Sequence, residues 1–380
     1  MLGRGVATGP QPLGGTGTVR IGIVGCGAIA ETAHLPAVLS SRAVELTALS
    51  DINLARLRYL QRQYGLGPIG FRDYREAMPH VDAVILALPN NLHASVGVEL
   101  LSQGIHVLCE KPLALSRDEG EQLCQAARAA RAVLAVGFVT RFFPSTELTK
   151  QLIESGLLGE VQSFDYEFGT PGGWAALSGY TLARSTSGGG VLVVSGSHFL
   201  DRMIYLFGEV EVISHADDSR GGVEANCTTW FAARVQGRPL HGRVLLSKTH
   251  QLANRLRIVG ANGALEIKEG QTRSVTYVPS EGGVRHDITA VGTPPAEMEP
   301  NYAQLQLQDF VHAIQTGAAP KVDGQQGCKS VALAERCYAV AKPLPEPWCE
   351  ATLERLSRAV TPASANPAPP ELSLAGPDSP

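Results

Sequence analysis

Two side chains suited to proton transfer stand in sequence contexts that favour a buried site over an exposed one. Lys111 follows an apolar run and precedes Pro112, which fixes the local backbone. His198 falls in the first turn of a predicted helix, directly after a glycine-rich segment. Burial lowers the pKa of a lysine and an imidazole titrates near neutral pH, so either group can accept a proton from a substrate hydroxyl. A surface lysine and a core histidine bonded to a backbone carbonyl are the alternative interpretations.

A glycine motif near the start of the chain predicts a dinucleotide site. Residues 25–30 read G-C-G-A-I-A and follow the β-branched run Ile21 to Val24. Gly25 and Gly27 allow a tight turn and the close approach of a pyrophosphate. The helix that follows, beginning with Ala28 and Ile29, offers unpaired N–H groups and a positive dipole end to that phosphate. An ordinary glycine turn is the alternative.

An acid stands where the second predicted strand ends. Asp51 at this place can accept hydrogen bonds from the adenosine ribose and would repel a 2′-phosphate, which favours NAD over NADP. Arg56 and Arg58 follow and leave NADP open. A helix cap is the alternative role for Asp51, although Asn53 supplies that cap equally well.

Strands and helices alternate from residue 19 to residue 136, which predicts an α/β fold with a doubly wound parallel sheet of the Rossmann type. Ligands of such sheets bind beyond the carboxyl ends of the strands, where Asp51, the segment from Pro89 to His93, and Lys111 all lie. The predicted strands are Val19–Val24, Val44–Ser50, Ala83–Leu88, Ile105–Cys109 and Val133–Val136. The predicted helices are His34–Ser40, Asn53–Tyr64, Asp73–Met78, one ending at Leu101 and Ser116–Ala130.

Strands predominate after a helix at Ser145–Glu154, and several alternate polar with apolar residues. This pattern predicts a C-terminal α+β domain on an open, mainly antiparallel sheet. Its predicted strands are Val161–Phe168, Val210–His215, Cys227–Val235, Gly242–Thr249, Arg255–Val259, Ala264–Lys268 and Ser274–Val278, with closing helices Tyr302–Thr316 and Gly327–Ala341. The predicted divisions are a disordered leader 1–18, a dinucleotide-binding domain 19–140, a substrate and oligomerisation domain 141–342, and a Pro-rich, largely disordered tail 343–380.

Composition narrows the class of protein. The 380 residues carry 32 Lys+Arg against 36 Asp+Glu, a formal charge of −4 that predicts neither nucleic-acid nor acidic-membrane partners. No apolar run approaches the roughly 20 residues of a membrane span. The seven cysteines are scattered without a C-x-x-C motif, so we expect buried thiols, no metal site and a cytoplasmic location.

The motifs taken together resemble the Gfo/Idh/MocA family of glucose–fructose oxidoreductases and inositol dehydrogenases. They are the glycine motif, E-K-P at residues 110–112, and G-G-G-x-x-x-x-x-G-x-H-x-x-D at residues 188–201. The resemblance covers residues 19–341. It implies NAD(P)-dependent oxidation or reduction of a hydroxyl on a sugar, polyol or related small molecule. It also implies a homo-oligomer, a dimer or a tetramer, assembled through the second-domain sheet.

The resemblance also implies roles for single residues. Lys111 and His198 match the catalytic groups of the family, and the segment from Pro89 to His93 matches its nicotinamide-side loop. Arg141 matches a basic position near the cofactor or substrate. The cofactor contacts expected on these grounds are Gly25, Gly27, Ala28, Ile29, Asp51, Pro89, Asn91, His93, Glu110, Lys111 and Arg141.

One position departs from the family pattern. Many relatives have an aspartate four residues before the histidine, where this chain has Val194. Either the substrate does not need that acid, or another group supplies it, or the chain is a non-catalytic NAD(P)-binding regulatory or sensor protein. Asp201 shares the helix of His198 and is a candidate substrate contact. Candidate substrate contacts from the loop before Ser187, with packing under that loop as the alternative, are Trp174, Tyr180 and Arg184.

Overall fold

The computed structural model describes residues 17–172, 177–293 and 301–344. The described residues up to Pro343 belong to one compact unit, within which two sheets form separate layers. Across the described ranges, no helix combines the length and apolar character that crossing a membrane requires. The predicted leader and tail fall almost wholly outside these ranges.

The first sheet has six parallel strands. Their bounds are β1 (Val19–Val24), β2 (Val44–Ser50), β3 (Gly70–Phe71), β4 (Ala83–Leu86), β5 (His106–Cys109) and β6 (Leu134–Val136). They lie in the order β3-β2-β1-β4-β5-β6, with every neighbouring pair parallel. The order reverses between β1 and β4, and the crevice at such a reversal is where doubly wound sheets bind their ligands.

Helices cover both faces of this sheet, as crossovers between parallel strands require. The α-helices of this half are α1 (Leu35–Ser40), α2 (Leu54–Gln63), α3 (Tyr74–Ala77), α4 (His93–Ser102) and α5 (Arg117–Ala130). A π-helical turn, Ala30–His34, leads into α1, and short 3₁₀ turns follow at Met78–His80, Asn90–Leu92 and Val139–Phe142. The predicted cap of α5 is present, since the Ser116 hydroxyl accepts a hydrogen bond from the Glu119 N–H.

The second sheet has nine strands. They are β7 (Val161–Gly169), β8 (Val210–Asp217), β9 (Asn226–Val235), β10 (Arg238–Ser247), β11 (Arg255–Gly260), β12 (Gly263–Lys268), β13 (Ser274–Pro279), β14 (His286–Thr289) and β15 (Ala341–Pro343). Their order is β14-β13-β12-β11-β7-β10-β9-β8-β15. Only β7 with β10 and β8 with β15 pair in parallel, so the predicted open, mainly antiparallel sheet is confirmed.

The remaining helices pack against one face of the second sheet or bridge the two halves. They are α6 (Pro144–Glu154), α7 (Arg184–Ser187), α8 (Val191–Val194), α9 (Ser197–Phe207), α10 (Tyr302–Thr316) and α11 (Gly324–Ala339), with a 3₁₀ turn at Gly179–Leu182. Phe310 of α10 lies in the core of the first sheet, although the predicted division assigns α10 to the second domain. Cys328 and Leu333 of α11 belong to the cores of different sheets, so α11 joins them. The domain boundaries stay a prediction.

Several predicted bounds need correction. Strands β3, β14 and β15 were not predicted, because all three are short edge strands with little buried apolar surface. Strand β10 begins four residues earlier than predicted, since Gln236 and Gly237 take positive φ and close a tight hairpin with β9. Helix α11 begins at Gly324 because Asp323 caps it, and it ends before β15.

The six cysteines in the described ranges are buried free thiols, and Cys349 lies outside them.

Candidate active site

The glycine loop after β1 is tightly packed at Gly25 and faces open space at Gly27. Gly25 has φ of +94°, and a Cβ there would lie 2.3 Å from the Ala87 carbonyl oxygen, so only glycine fits. A Cβ on Gly27 would meet no atom within 4 Å. Residues 28 and 29 begin the helical run that follows. The loop therefore leaves room for a phosphate in front of a helix N-terminus, which fits a dinucleotide.

The Asp51 carboxylate connects this loop to the end of β2 through hydrogen bonds. Its Oδ2 accepts the Cys26 N–H at 2.8 Å, and its Oδ1 accepts the Asn53 N–H at 2.8 Å. The cap of α2 is Asn53, whose side chain accepts the N–H groups of Ala55 and Arg56. Each oxygen of Asp51 keeps a lone pair, so the carboxylate can still accept a ribose hydroxyl.

Arg56 is one of the two arginines that keep NADP possible as the cofactor, and its side chain is held at the glycine loop. Its Nε donates to the Cys26 carbonyl at 2.6 Å, and its guanidinium pairs with Glu31. Arg58 is exposed on α2. The Arg56 guanidinium is therefore already occupied by a carboxylate and by the loop.

The segment after β4 connects the two halves of the protein. Asn90 donates a hydrogen bond from its side-chain nitrogen to the Ser187 carbonyl at 2.8 Å, across 97 residues of sequence. The Oδ1 of Asn91 is buried without a hydrogen-bond partner among the described residues. Pro89 is half-buried at the start of the turn. An orphaned buried acceptor at the carboxyl end of a central strand is a feature that a bound cofactor amide would satisfy.

His93 lies beneath this segment. Its ring is fully buried, with Nδ1 2.8 Å from the Pro112 carbonyl oxygen and Nε2 2.9 Å from that of Leu88. Burial lowers the pKa of His93, while the two carbonyls oppose that shift. The ring therefore supports the loop from within, and a direct contact of His93 with the cofactor stays a prediction.

Glu110 is a buried, ionised carboxylate directly before the candidate lysine in the chain. Its Oε1 lies 2.7 Å from His34 Nε2, and its Oε2 accepts the Lys111 N–H at 3.1 Å. Burial acts to raise the pKa of Glu110, but the hydrogen bond to His34 and the nearby positive charges outweigh it and lower the pKa to about 2. A contact of Glu110 with the cofactor stays a prediction.

Lys111 reaches from the first half of the protein to the second. Its Nζ donates a hydrogen bond to the Val194 carbonyl oxygen at 2.7 Å, across 83 residues of sequence. Burial lowers the pKa of the Lys111 amine, Glu110 opposes this, and the charge of Lys248 lowers the pKa further. A backbone carbonyl thus binds the amine at the position where the family resemblance leads us to expect an acid.

His198 stands four residues after Val194, whose carbonyl binds this amine. It is the second residue of α9, and its ring meets Phe138 edge-on, with ring centroids 6.0 Å apart. Its Nδ1 is buried without a hydrogen-bond partner within the described part of the chain. Burial, and then the charge of Lys111, lower the pKa of His198 well below its ordinary value. The amine of Lys111 is therefore bound four residues before His198, and its charge acts on the imidazole, whose pKa is held well below neutral.

Arg141 and Asp201 bind each other. Two hydrogen bonds, 2.7 and 3.0 Å long, join the guanidinium to the carboxylate, and the side chains are only 4% and 1% exposed. The guanidinium also lies over the Tyr205 ring, 4.1 Å from its centroid. Burial raises the pKa of Asp201, and Arg141 opposes that shift. The two side chains bind each other in this structure, and contact of Arg141 with the cofactor and of Asp201 with the substrate stays a prediction.

The loop residues predicted to contact substrate have different surroundings. Tyr180 is half-buried, and burial together with the charge of Glu110 raises its pKa. The Arg184 guanidinium lies over the Tyr338 ring, 4.5 Å from its centroid. Trp174 lies outside the described residues. Substrate contact by Tyr180 or Arg184 stays a prediction.

Glu224 is a residue that sequence reasoning missed. Its carboxylate accepts the N–H groups of Gly190 and Leu192 at 2.8 and 2.9 Å and the Tyr338 hydroxyl at 2.8 Å. A Cβ on Gly190 would lie 1.9 Å from the Glu224 carbonyl oxygen. Glu224 thus fixes the start of α8, the helix whose last carbonyl binds Lys111. No local motif marks this acid, because its partners lie 32 or more residues away.

Two family models match the chain. One, described as an oxidoreductase family with an NAD-binding Rossmann fold, matches residues 19–138, and the other, the C-terminal alpha/beta domain of the same oxidoreductase family, matches residues 150–343. The chain belongs to the Gfo/Idh/MocA oxidoreductase family. The resemblance, the fold class, the enzyme class and the NAD-type cofactor predicted from the sequence are therefore confirmed.

Individual relatives are distant. The chain is 29% identical over 218 residues to a D-glucoside 3-dehydrogenase of Escherichia coli, an alignment that covers 55% of this chain and 60% of that enzyme. It is 25% identical over 322 residues to a dTDP-3,4-didehydro-2,6-dideoxy-alpha-D-glucose 3-reductase of Actinomadura kijaniata, covering 83% and 94%.

A solved structure shares the fold of this chain over most of the chain's length. It is a 3-ketoreductase from Actinomadura kijaniata in complex with NADP and TDP-benzene. The TM-score is 0.75 at 22% identity, and the match covers 86% of this chain and 99% of that one. Because that enzyme binds NADP, the family assignment does not exclude NADP for this chain.

Proposed function

We propose that this protein oxidises or reduces a hydroxyl or carbonyl carbon of a sugar, polyol or sugar derivative, with NAD as the preferred cofactor. The observation that carries the proposal is the 2.7 Å hydrogen bond from Lys111 Nζ to the Val194 carbonyl. It holds an amine from the first half of the protein, at the carboxyl end of β5, against the helix that precedes His198 of the second half. The two curated relatives described above are named for reactions on glucosides or a nucleotide-linked sugar.

The cofactor would lie across the carboxyl ends of the first sheet. The loop at Gly25 and Gly27 would take the pyrophosphate, Asp51 the adenosine ribose, and Asn91 Oδ1 the amide of the nicotinamide. Asp51 favours NAD because a 2′-phosphate would meet its carboxylate while Arg56 is held by Glu31. When bound, the nicotinamide supplies the hydride chemistry.

The chain's own residues would handle the proton and the developing charge. His198, neutral and with an unpartnered Nδ1, would accept the proton of the substrate hydroxyl in the oxidation direction. Lys111 would donate a hydrogen bond to the substrate oxygen and stabilise its negative charge. With the amine unprotonated at higher pH, Lys111 can itself take the proton, a role its lowered pKa supports.

Assembly and location are part of the proposal. Asp165 alternates along β7 with the core residue Phe164, so it lies on the opposite face of the second sheet, where it pairs with Arg243. Next to Arg243, Trp230 of β9 is 45% exposed. We propose that this face joins subunits of a cytoplasmic homo-oligomer, a dimer or tetramer. Sedimentation of the purified protein tests this, and a monomer at micromolar concentration would overturn it.

A substrate screen tests the reaction. Purified protein is mixed with NAD⁺ or NADP⁺ and with polyols, aldoses, glucosides and nucleotide sugars, and reduced cofactor is followed by absorbance. The reverse reaction is followed with keto sugars. We expect turnover on at least one carbohydrate class and a preference for NAD⁺. Tight NADH binding without turnover on any compound would instead support a regulatory or sensor protein.

A further inference from the structure

A second amine, that of Lys248, lines a cavity near the site. Lys248 follows the end of β10 and is half-buried. The cavity is about 510 Å³ in volume, and its wall includes Ser178, Thr181, Glu224 and Lys248. Lys111 and His198 are absent from that wall, but Glu224 of the wall binds the N–H groups at the start of α8, and the last carbonyl of α8 binds Lys111. The cavity is therefore joined to the proton-transfer groups through α8 without containing them.

The Lys248 ammonium has no acidic partner at ion-pair distance among the described residues. Glu224, the acid in the same wall, is 1% exposed and directs its oxygens to two backbone N–H groups and the Tyr338 hydroxyl. Burial lowers the pKa of Lys248, and Glu224 opposes that shift. A half-buried ammonium without a partner costs free energy that an anionic ligand would recover.

We propose that Lys248 binds an oxyanion of the substrate, a carboxylate or a phosphate, at a distance from the carbon that reacts at Lys111 and His198. The hydroxyls of Ser178 and Thr181 provide hydrogen-bonding groups for a polar ligand in the same cavity. The substrate class is thus an acidic sugar or a sugar phosphate rather than a neutral polyol. This inference rests on the proposed function for the reacting end of the substrate.

Binding measurements test the inference independently of turnover. Calorimetry in the presence of NADH compares D-glucose, D-glucuronate, D-gluconate and D-glucose 6-phosphate. We expect at least one anionic sugar to bind about 10- to 100-fold more tightly than D-glucose, the range of one charge-assisted hydrogen bond. A preference for the carboxylates or for the phosphate identifies the source of the oxyanion.

Three variants assign the preference to Lys248. Lys248→Met should reduce the affinity for the anionic sugar to that for D-glucose, and Lys248→Arg should restore much of it. Lys268→Met, which removes an exposed lysine from β12, is the control and should change nothing. Equal affinity of the native protein for neutral and anionic sugars would overturn the inference, as would equal losses for both sugars in Lys248→Met. If binding follows the expected pattern but no compound is turned over, the proposed function is refuted and the inference about Lys248 stands.

Discussion

Lys111 Nζ and the backbone carbonyl of Val194 lie 2.7 Å apart, and this hydrogen bond joins the E-K-P strand end to the helix that precedes His198. The carbonyl belongs to the residue that stands where the family resemblance implies an aspartate. A carbonyl orients an ammonium as a carboxylate does, but it brings no negative charge to stabilise the protonated form. The chain therefore keeps the position of the lysine while leaving its pKa lower than an acid at residue 194 would.

Restoring the acid should shift the pH profile. Val194→Asp places a carboxylate near Lys111 and raises the pKa of the amine, because an opposite charge favours the protonated form. If the unprotonated amine takes part in oxidation, the rising limb of kcat/KM moves to higher pH, by roughly 1 unit. Val194→Asn is the matched control, similar in size but without charge. Identical profiles for both variants would exclude an effect of charge.

The glycine loop offers a matched pair of substitutions. Gly27→Ala adds a methyl group where no atom lies within 4 Å, so we expect native thermal stability and an NADH affinity reduced about 10-fold or more by collision with the pyrophosphate. Gly25→Ala should instead destabilise the fold, since its Cβ meets the Ala87 carbonyl at 2.3 Å. Fluorescence titration and thermal unfolding measure the two effects. Unchanged NADH affinity in Gly27→Ala would place the dinucleotide elsewhere.

The buried pair of Arg141 and Asp201 should contribute to stability. Asp201→Ala leaves a buried guanidinium without its partner, and we expect a loss of about 3–5 kcal/mol in the free energy of unfolding. Glu160→Ala removes the partner of Arg238, a pair whose side chains are 43% and 62% exposed, and should cost about 1 kcal/mol or less. Urea unfolding compares the two. Equal costs would show that the buried pair is not structural.

Glu110 should make the free energy of unfolding fall more steeply as the pH is lowered. Its pKa falls from 4.5 to about 2 in the folded protein. The stabilisation from its ionised form is therefore present above pH 4.5 and is lost as the pH falls toward 2, on the order of 3 kcal/mol in total. Glu110→Gln should lack this part of the pH dependence, which urea unfolding between pH 5 and about 2.5 measures. Parallel curves for the two proteins would contradict the assignment.

The fold was largely predictable because its signals are local. Buried apolar runs with β-branched residues mark β1 and β4, and periodic apolar residues mark α9 and α10. The glycines and the lysine of the site stand directly at strand ends, so their neighbourhood follows from the parallel sheet. Edge strands escaped prediction because an edge strand buries too little apolar surface to leave a pattern.

The partners within the site were less predictable, because they depend on contacts between distant segments. Nothing near Asp201 in the sequence indicates that it binds Arg141, 60 residues away. His93 stands in the loop that the motif predicts, but only the packed structure shows its ring turned inward between two carbonyls. Glu224 and Lys248 likewise reach the site only through the second sheet, which places them near α8 and Lys111.

The central claim is that Lys111 acts on the reacting group, with at most a minor part in cofactor binding, and Lys111→Ala tests it most directly. The measurement pairs NADH affinity, by fluorescence titration, with the single-turnover rate on the best carbohydrate substrate of the screen. We predict that the affinity changes by no more than about three-fold while the rate falls about 100-fold or more, the scale of losing an acid–base group. An unchanged rate would contradict the account, as would a loss of rate explained entirely by weaker NADH binding.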